Sequence, residues 1–211
     1  MCGLPLSPDC LIQKFKMVFA QLVRNKTIET DQIINYRKAS DASLHSLLQF
    51  ALIKAGIECG FIAVPEYKVQ LTKAIDKKEL DSRLRGKNKQ WKLKADVAFM
   101  EKSEIRGLGE ICTLDEIHGC QPSNKLREPW VTPHDKLLHL LNYSRDKINF
   151  LILVNIFPEN FDVKIPWKDS KLHSIAEWKE MWKGFASALK ALGTAIELVC
   201  ISEKGVHVYP L

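Results

Sequence analysis

The sequence lacks the features that mark membrane-spanning proteins and repeat proteins. No two of its six cysteines form a CxxC pair, and no segment shows a repeat, low complexity or a separate linker. Four polar residues interrupt the apolar positions between 11 and 23, namely Gln13, Lys14, Lys16 and Gln21. This interruption excludes a membrane span there, and the first residues do not show the pattern of a cleavable signal sequence. We therefore expect a cytoplasmic chain with no membrane partner and with reduced thiols.

Basic residues are concentrated in one part of the chain. The 211 residues carry 31 Lys and Arg against 25 Asp and Glu, a net charge of +6. Between Asp76 and Lys94 the bases outnumber the acids, so the excess is largely local. Apart from Lys94, these bases are Lys77, Lys78, Arg83, Arg85, Lys87, Lys89 and Lys92. Such a run is either a solvated surface or a binding site for nucleic acid, because Lys and Arg neutralise phosphate.

The stretch from Trp91 to Leu114 predicts a hairpin of two strands. Apolar and polar residues alternate around Asp96 and again around Glu110, which is the period-two pattern of pleated segments. The polar segment from Glu101 to Gly107 suits the connecting loop. The pattern therefore predicts that Asp96 and Glu110 meet at one place.

Two carboxylates in an apolar hairpin need a compensating charge, because like charges and burial both raise the pKa of a carboxyl group. A divalent cation supplies that charge, and Mg²⁺ prefers oxygen ligands from one or two carboxylates. Such an ion activates water for the hydrolysis of a phosphodiester. The alternative is that Asp96 and Glu110 are solvated or pair with Lys94 and Arg106 at strand ends. Glu66, on the preceding strand, either joins the metal site or faces solvent.

Two further groups of residues leave alternatives open. Cys112, His118 and Cys120 are three potential zinc ligands, but a fourth ligand at the usual spacing is not evident. Buried thiols are the other interpretation of these cysteines. Trp178 and Trp182 lie one helical turn apart, which is typical of a core or a dimer interface and also allows stacking on bases. A homodimer is therefore left open.

Helices and a strand are predicted in the first part of the chain. An amphipathic helix begins at Leu11 and ends near Asn25. A second apolar stripe runs from Leu44 to Ala55, with Gly56 as a natural stop. The segment at 60–71 predicts a strand, in which Pro65 favours an edge position or a bulge.

The second part of the chain predicts further helices and strands. A helix begins at Thr132, with proline at its first position, and another covers about 174–192. The nearly continuous apolar run at 148–157 predicts a central strand covered on both faces. Strands at 195–201 and 206–209 follow the last helix.

The order helix, strand, carboxylate hairpin, helix and apolar strand between Asp41 and Phe157 resembles the restriction-endonuclease-like nuclease family, named for its PD-(D/E)XK motif. In that family an Asp on one strand and an (Asp/Glu)-x-Lys on the next bind one or two magnesium ions. The lysine positions or deprotonates the attacking water. Asp96 and the stretch from Glu110 to Cys112 match the acidic part of this motif. The resemblance implies that Asp96, Glu110 and the carbonyl group of Ile111 bind Mg²⁺ or Mn²⁺.

Two positions depart from the motif. The proline that precedes the Asp in the motif is Ala95, and the lysine is Cys112. A thiol does not supply the positive charge of an ammonium group. The family sometimes draws this lysine from elsewhere in the fold, so Lys94 and Lys136 are the candidate catalytic lysines.

The resemblance implies an α/β fold with a restriction-endonuclease-like core, in which helices flank a mixed central sheet. We expect one domain over residues 1–211, with a helical extension at 1–40, the core at 41–157, and a C-terminal helix and strands at 158–211. The family often has an acid in the first core helix, where Asp41 and His45 are the candidates. The expected function is metal-dependent cleavage of nucleic acid, in the first place DNA. The alternative is a catalytically decayed binding or assembly module of the same fold.

Overall fold

The computed structural model describes residues 7–29, 42–70, 94–112, 141, 144–145, 147–156, 187, 190, 193–202 and 204–209. Within these ranges the chain forms two helices and a six-stranded sheet. The helices are α1 (Pro8–Arg24) and α2 (Ala42–Glu58). The strands are β1 (Ile62–Lys68), β2 (Lys94–Glu101), β3 (Glu104–Cys112), β4 (Phe150–Ile156), β5 (Ala195–Ser202) and β6 (Gly205–Tyr209).

Local sequence explains where α1 begins and which face it buries. Ser7 precedes the helix in an extended conformation, and its hydroxyl accepts a hydrogen bond from the Cys10 amide at 3.3 Å. Pro8 follows in the first turn, where a backbone N–H would have no intrahelical acceptor, so the N–H that proline lacks is not needed. The predicted apolar face is confirmed as buried, and its members are Leu11, Ile12, Phe15, Val18 and Phe19.

The apolar stripe of α2 is confirmed, but its predicted stop at Gly56 is wrong. The helix continues to Glu58, and Gly60 with φ +89° follows it. Amides of Gly60 and Phe61 donate to the carbonyls of Ile57 and Gly56, which is a Schellman ending. Gly56 instead allows close packing, since a Cβ atom there would lie 2.9 Å from the ring of Phe99.

Among the described strands the order across the sheet follows the chain, from β1 to β6. Antiparallel pairing joins β1 to β2, β2 to β3 and β5 to β6, whereas β3, β4 and β5 are parallel. The predicted mixed sheet is therefore confirmed. Both helices pack on one face, where the strands contribute Val97, Phe99, Ile111, Phe150, Ile152, Val154, Val199 and Ile201 to a common core.

The β2–β3 hairpin is tighter than the sequence predicts. Glu101 pairs with Glu104, so the turn has only Lys102 and Ser103 at its tip, with Lys102 at φ +58°. The predicted loop from Glu101 to Gly107 is therefore too long. Arg106 Nε lies 3.0 Å from Glu101 Oε2, and Arg106 Nη2 lies 3.0 Å from Glu104 Oε2. These ion pairs neutralise the charged side chains, so that these polar residues can belong to the strands.

Among the described strands β1 pairs with β2 alone, which agrees with the edge position predicted from Pro65. Glu66 has φ +49° and is not paired with β2, although the register is the same at Pro65 and at Tyr67. A non-glycine residue with positive φ is uncommon in a strand and bends the chain locally. The edge strand therefore changes direction in its middle.

The run at 148–157 is confirmed as a central strand, since β4 lies between β3 and β5 and is buried over residues 150–155. The strands predicted at 195–201 and 206–209 correspond to β5 and β6. The helices predicted to begin at Thr132 and to cover 174–192 lie outside the described residues, apart from Leu141, Ser187 and Lys190. Neither helix of the described part of the chain has the length and apolar character that a membrane crossing requires.

A disulfide between Cys10 and Cys59 joins α1 to the end of α2. The expectation that all six cysteines are reduced is therefore wrong for this pair. Their Cα atoms are 6.2 Å apart, within the usual range for a disulfide, although 49 positions separate them in sequence. The packing of α1 on α2 brings them together, and no CxxC spacing signals this. Cys200 is buried and takes no part in a disulfide.

We expect reduction of the Cys10–Cys59 disulfide to lower the free energy of unfolding by about 2–4 kcal/mol, because the cross-link restricts the unfolded chain. The measurement is urea unfolding with and without dithiothreitol. The double variant Cys10→Ser/Cys59→Ser is the control, and reductant should leave its midpoint unchanged. Equal midpoints for the wild type in both conditions would contradict the prediction.

Candidate active site

Strands β2 and β3 part at the position of the two predicted metal-binding carboxylates. Their antiparallel register runs from the hairpin turn to the pair Val97 and Gly109 and ends there. Asp96 and Glu110 are the next residues on the two strands. Each strand therefore carries one carboxylate directly beyond the paired part of the hairpin.

Contacts from both α2 and β3 hold Asp96. Its Oδ2 accepts a hydrogen bond of 2.7 Å from the backbone amide of Ile111, in the gap where the strand pairing ends. Nε2 of His45, on α2, lies 3.5 Å from the same oxygen. Gln49, one turn further along α2, donates from Nε2 to the backbone carbonyl of Asp96 at 2.8 Å. Both the side chain and the backbone of Asp96 are thus fixed between α2 and β3.

A second set of contacts links α2 to the edge strand. Gln49 Nε2 also donates to Glu66 Oε1 at 3.3 Å, and Lys94 Nζ lies 3.2 Å from Glu66 Oε2. Lys94, a predicted catalytic lysine, therefore has its ammonium group at Glu66. Both side chains of this ion pair are about half exposed, so the pair contributes only about 0–1 kcal/mol to stability. The Lys94 ammonium group can therefore leave Glu66 for another acceptor at little cost. Glu66 is exposed and pairs with Lys94 and Gln49, and its role at the metal site stays a prediction.

Glu110 has different surroundings from Asp96. Its side chain is 5% exposed, and its Cα pairs with Leu153 of the central strand β4. The next residue, Ile111, is buried in the core and gives its amide to Asp96. A carboxylate with so little exposure is stable when hydrogen bonds or a cation compensate its charge. Glu110 is therefore the more enclosed of the two predicted ligands.

The donor atoms of the predicted metal site are hard oxygens from two carboxylates and the carbonyl of Ile111. This set suits Mg²⁺ or Mn²⁺, which bind one or two protein carboxylates and keep several water ligands. Over the described ranges, no group of three or more His, Cys, Asp or Glu residues forms a cluster that could hold a metal ion. Water and substrate oxygens would therefore supply most of the remaining ligands.

Several predicted residues lie outside the described ranges. They are Lys136, Asp41, His118, Cys120 and the bases Lys77, Lys78, Arg83, Arg85, Lys87, Lys89 and Lys92. Cys112 ends β3, and its Cα pairs with that of Asn155 on β4. The predicted zinc cluster and the predicted nucleic-acid surface therefore stay predictions.

Two polar residues near the site were missed by the sequence analysis. Gln49 follows His45 by four residues in a largely apolar helix, a spacing that sets both on one helix face. Asn155 is the one polar residue of the strand β4, whose other members are Phe, Leu, Ile and Val. The shared helix face with His45 is the signal that could have identified Gln49, and its position in an apolar strand is the signal for Asn155.

Comparison with known proteins gives no relative: no family model, no curated protein and no solved structure matches this chain. A functional assignment therefore depends on the chemistry of the site itself. That chemistry consists of two carboxylates on neighbouring strands, an imidazole at one of them, and a lysine on the same strand as Asp96.

We expect Gln49→Leu to lower the free energy of unfolding by about 1–3 kcal/mol, because it removes the donor to the Asp96 carbonyl and to Glu66. The measurement is urea unfolding. Gln13→Leu is the matched control, since Gln13 is exposed on α1 and its replacement should change stability by less than about 0.5 kcal/mol. A Gln49→Leu variant as stable as the wild type would mean that these hydrogen bonds do not hold Asp96.

Proposed function

We propose that this chain is a divalent-metal-dependent nuclease with a restriction-endonuclease-like core, which hydrolyses phosphodiester bonds of nucleic acid, in the first place DNA. The observation that carries the proposal is that the pairing of β2 and β3 ends directly beside Asp96 and Glu110, where the Ile111 amide donates to Asp96 Oδ2. The element order supports it, because α2, β1 and the β2–β3 hairpin precede the central strand β4, parallel to β3.

In this proposal the two carboxylates and the backbone carbonyl of Ile111 hold Mg²⁺ or Mn²⁺. When bound, such an ion polarises a phosphoryl oxygen and lowers the pKa of its coordinated water. Asp96 is already oriented by the Ile111 amide and by His45, so little reorganisation is needed for it to bind. Glu110, which is 5% exposed, would shield a bound ion from bulk water.

Lys94 supplies the positive charge that the nuclease family takes from the lysine of its motif. Lys94 and Asp96 are two positions apart on β2 and share a face. An ammonium group has three N–H donors, and the pair with Glu66 uses one of them. The others remain for a water molecule or a phosphate oxygen. Lys136 is the second candidate for this role.

The proposed partner is nucleic acid, bound through the basic residues that precede β2 in the sequence. Eight bases between Asp76 and Lys94 would lead the phosphate backbone to the carboxylates. A homodimer would allow both strands of a duplex to be cut. A cytoplasmic location stays part of the proposal, although the Cys10–Cys59 disulfide is more typical of an oxidising compartment.

We expect Asp96→Asn and Glu110→Gln each to lower the rate of metal-dependent cleavage at least about a hundredfold, because each removes a charge worth several kcal/mol at the metal. The amides keep the size of the side chains, and Asn retains an oxygen acceptor for the Ile111 amide. The measurement is cleavage of labelled DNA and RNA in Mg²⁺ and in Mn²⁺.

Glu104→Gln is the matched control, since Glu104 is on the same strand as Glu110 but is exposed beside the hairpin turn. Its cleavage rate should equal that of the wild type. The circular dichroism spectrum of every variant should match that of the wild type. A lower cleavage rate is then due to the missing carboxylate and not to unfolding. Wild-type rates in both site variants, or absence of cleavage by the wild type, would refute the proposed nuclease.

A second function is favoured by Cys112, which stands where the family motif has lysine. In this alternative the chain keeps the fold but has lost the chemistry, and acts as a nucleic-acid-binding or assembly module. Its binding would weaken with salt, because phosphate contacts release counterions. Its mixtures with nucleic acid would show no metal-dependent cleavage.

We expect Cys112→Lys to leave the cleavage rate within about tenfold of the wild type, because Lys94 already provides the charge. Lys94→Met should lower the rate by about a hundredfold, whereas Lys102→Met, at the exposed hairpin turn, should not. The measurement is single-turnover cleavage in Mn²⁺. Strong cleavage by Cys112→Lys beside an inactive wild type would favour the decayed module instead.

A further inference from the structure

Asn155 is a buried polar residue for which the sheet itself provides no explanation. Its side chain is 0% exposed, and neither Oδ1 nor Nδ2 has a hydrogen-bond partner among the described residues. An unsatisfied buried polar group costs about 1–3 kcal/mol. Native proteins usually retain such a group where a water molecule, an ion or a functional role accounts for it.

The register sets Asn155 on the same face of the sheet as Glu110, on the neighbouring strand and diagonal to it. Glu110 pairs with Leu153 in the parallel ladder of β3 and β4, and Asn155 is two residues beyond Leu153. Side chains two positions apart share a face, so Asn155 and Glu110 point to the same side of the sheet. Ile111 and Val154, their neighbours in sequence, belong to the core under the helices. Glu110 and Asn155 therefore face away from that core.

The same face changes from apolar to polar along the parallel strands. Leu108, Leu151 and Leu153 come first, and Glu110 and Asn155 follow towards the carboxyl ends of β3 and β4. In open α/β sheets, ligands bind outside the carboxyl ends of the strands. An apolar residue at position 155 would leave no unpaired amide in the strand. The polar residue is thus found where a ligand is expected.

We propose that Asn155 is a positioning residue of the metal site, and that its amide oxygen accepts a hydrogen bond from a water molecule coordinated to the ion at Glu110 and Asp96. The inference rests on the proposed function and deepens it. Mg²⁺ and Mn²⁺ keep several water ligands, and a buried water needs two or more polar partners. Asn155 and the ion together provide them.

The test compares the variants Asn155→Leu and Asn155→Asp in the binding of Mn²⁺, measured by titration calorimetry without nucleic acid. The leucine variant should bind Mn²⁺ about 10–100-fold more weakly, the usual effect of losing an outer partner of a metal site. The aspartate variant keeps an oxygen acceptor and should bind at least as tightly as the wild type. Asn149→Leu is the matched control, because Asn149 is exposed at the other end of β4.

Urea unfolding without metal separates positioning from a structural role. The leucine variant should be as stable as the wild type or more stable, because an unpaired amide gives way to an apolar group of similar size. Asn155→Ala provides the same comparison of Mn²⁺ affinity if leucine does not fit. Lower stability of the metal-free leucine variant with unchanged Mn²⁺ affinity would overturn the inference.

The outcomes distinguish this inference from the proposed function. If Asn155→Leu and Asn155→Ala bind Mn²⁺ like the wild type while the wild type cleaves nucleic acid, the inference fails and the nuclease proposal stands. If the wild type neither binds Mn²⁺ nor cleaves, both fail. Weaker Mn²⁺ binding by the leucine or alanine variant, with affinity retained in the aspartate variant, supports the inference.

Discussion

The hydrogen bond from the Ile111 amide to Asp96 Oδ2 is the interaction on which the candidate site depends. A buried backbone N–H needs an acceptor, and at the end of a strand pairing the neighbouring strand no longer provides one. Here a carboxylate replaces the main-chain carbonyl, so β2 and β3 part while the donor stays satisfied. Hydrogen bonds to an ionised group are stronger than those between neutral groups. The bond therefore sets the point of separation and fixes an acid there.

Much of the fold could be predicted because burial leaves a pattern within one element. The stripe of α2, the alternation in β2 and β3, and the apolar run of β4 each record which face is covered. The hairpin length could not be read this way, because the charged residues Glu101, Glu104 and Arg106 resemble a loop until their ion pairs are known. The end of α2 was predicted wrongly at Gly56 for a similar reason. In the sequence, a glycine that allows close packing cannot be distinguished from a glycine that ends a helix.

The candidate site could be predicted only in part. Asp96 and Glu110 follow from local alternation, but their surroundings come from residues distant in sequence. Gln49 reaches Asp96 across 47 positions, and the disulfide joins Cys10 to Cys59 across 49. The periodicity of apolar residues within one helix or strand carries no information about contacts between residues so far apart in sequence. Asn155 shows the opposite case, in which the residue is conspicuous in its strand but only the register with β3 gives it a neighbour.

The bend in β1 also limits how copies of this protein associate. An exposed edge strand is a template for a strand of another chain, and proteins commonly protect such edges against aggregation. Pro65 has no N–H to offer to an incoming strand, and the backbone at Glu66 departs from the extended conformation. Among the described residues, the middle of β1 therefore lacks an N–H donor with which a strand of another chain could pair.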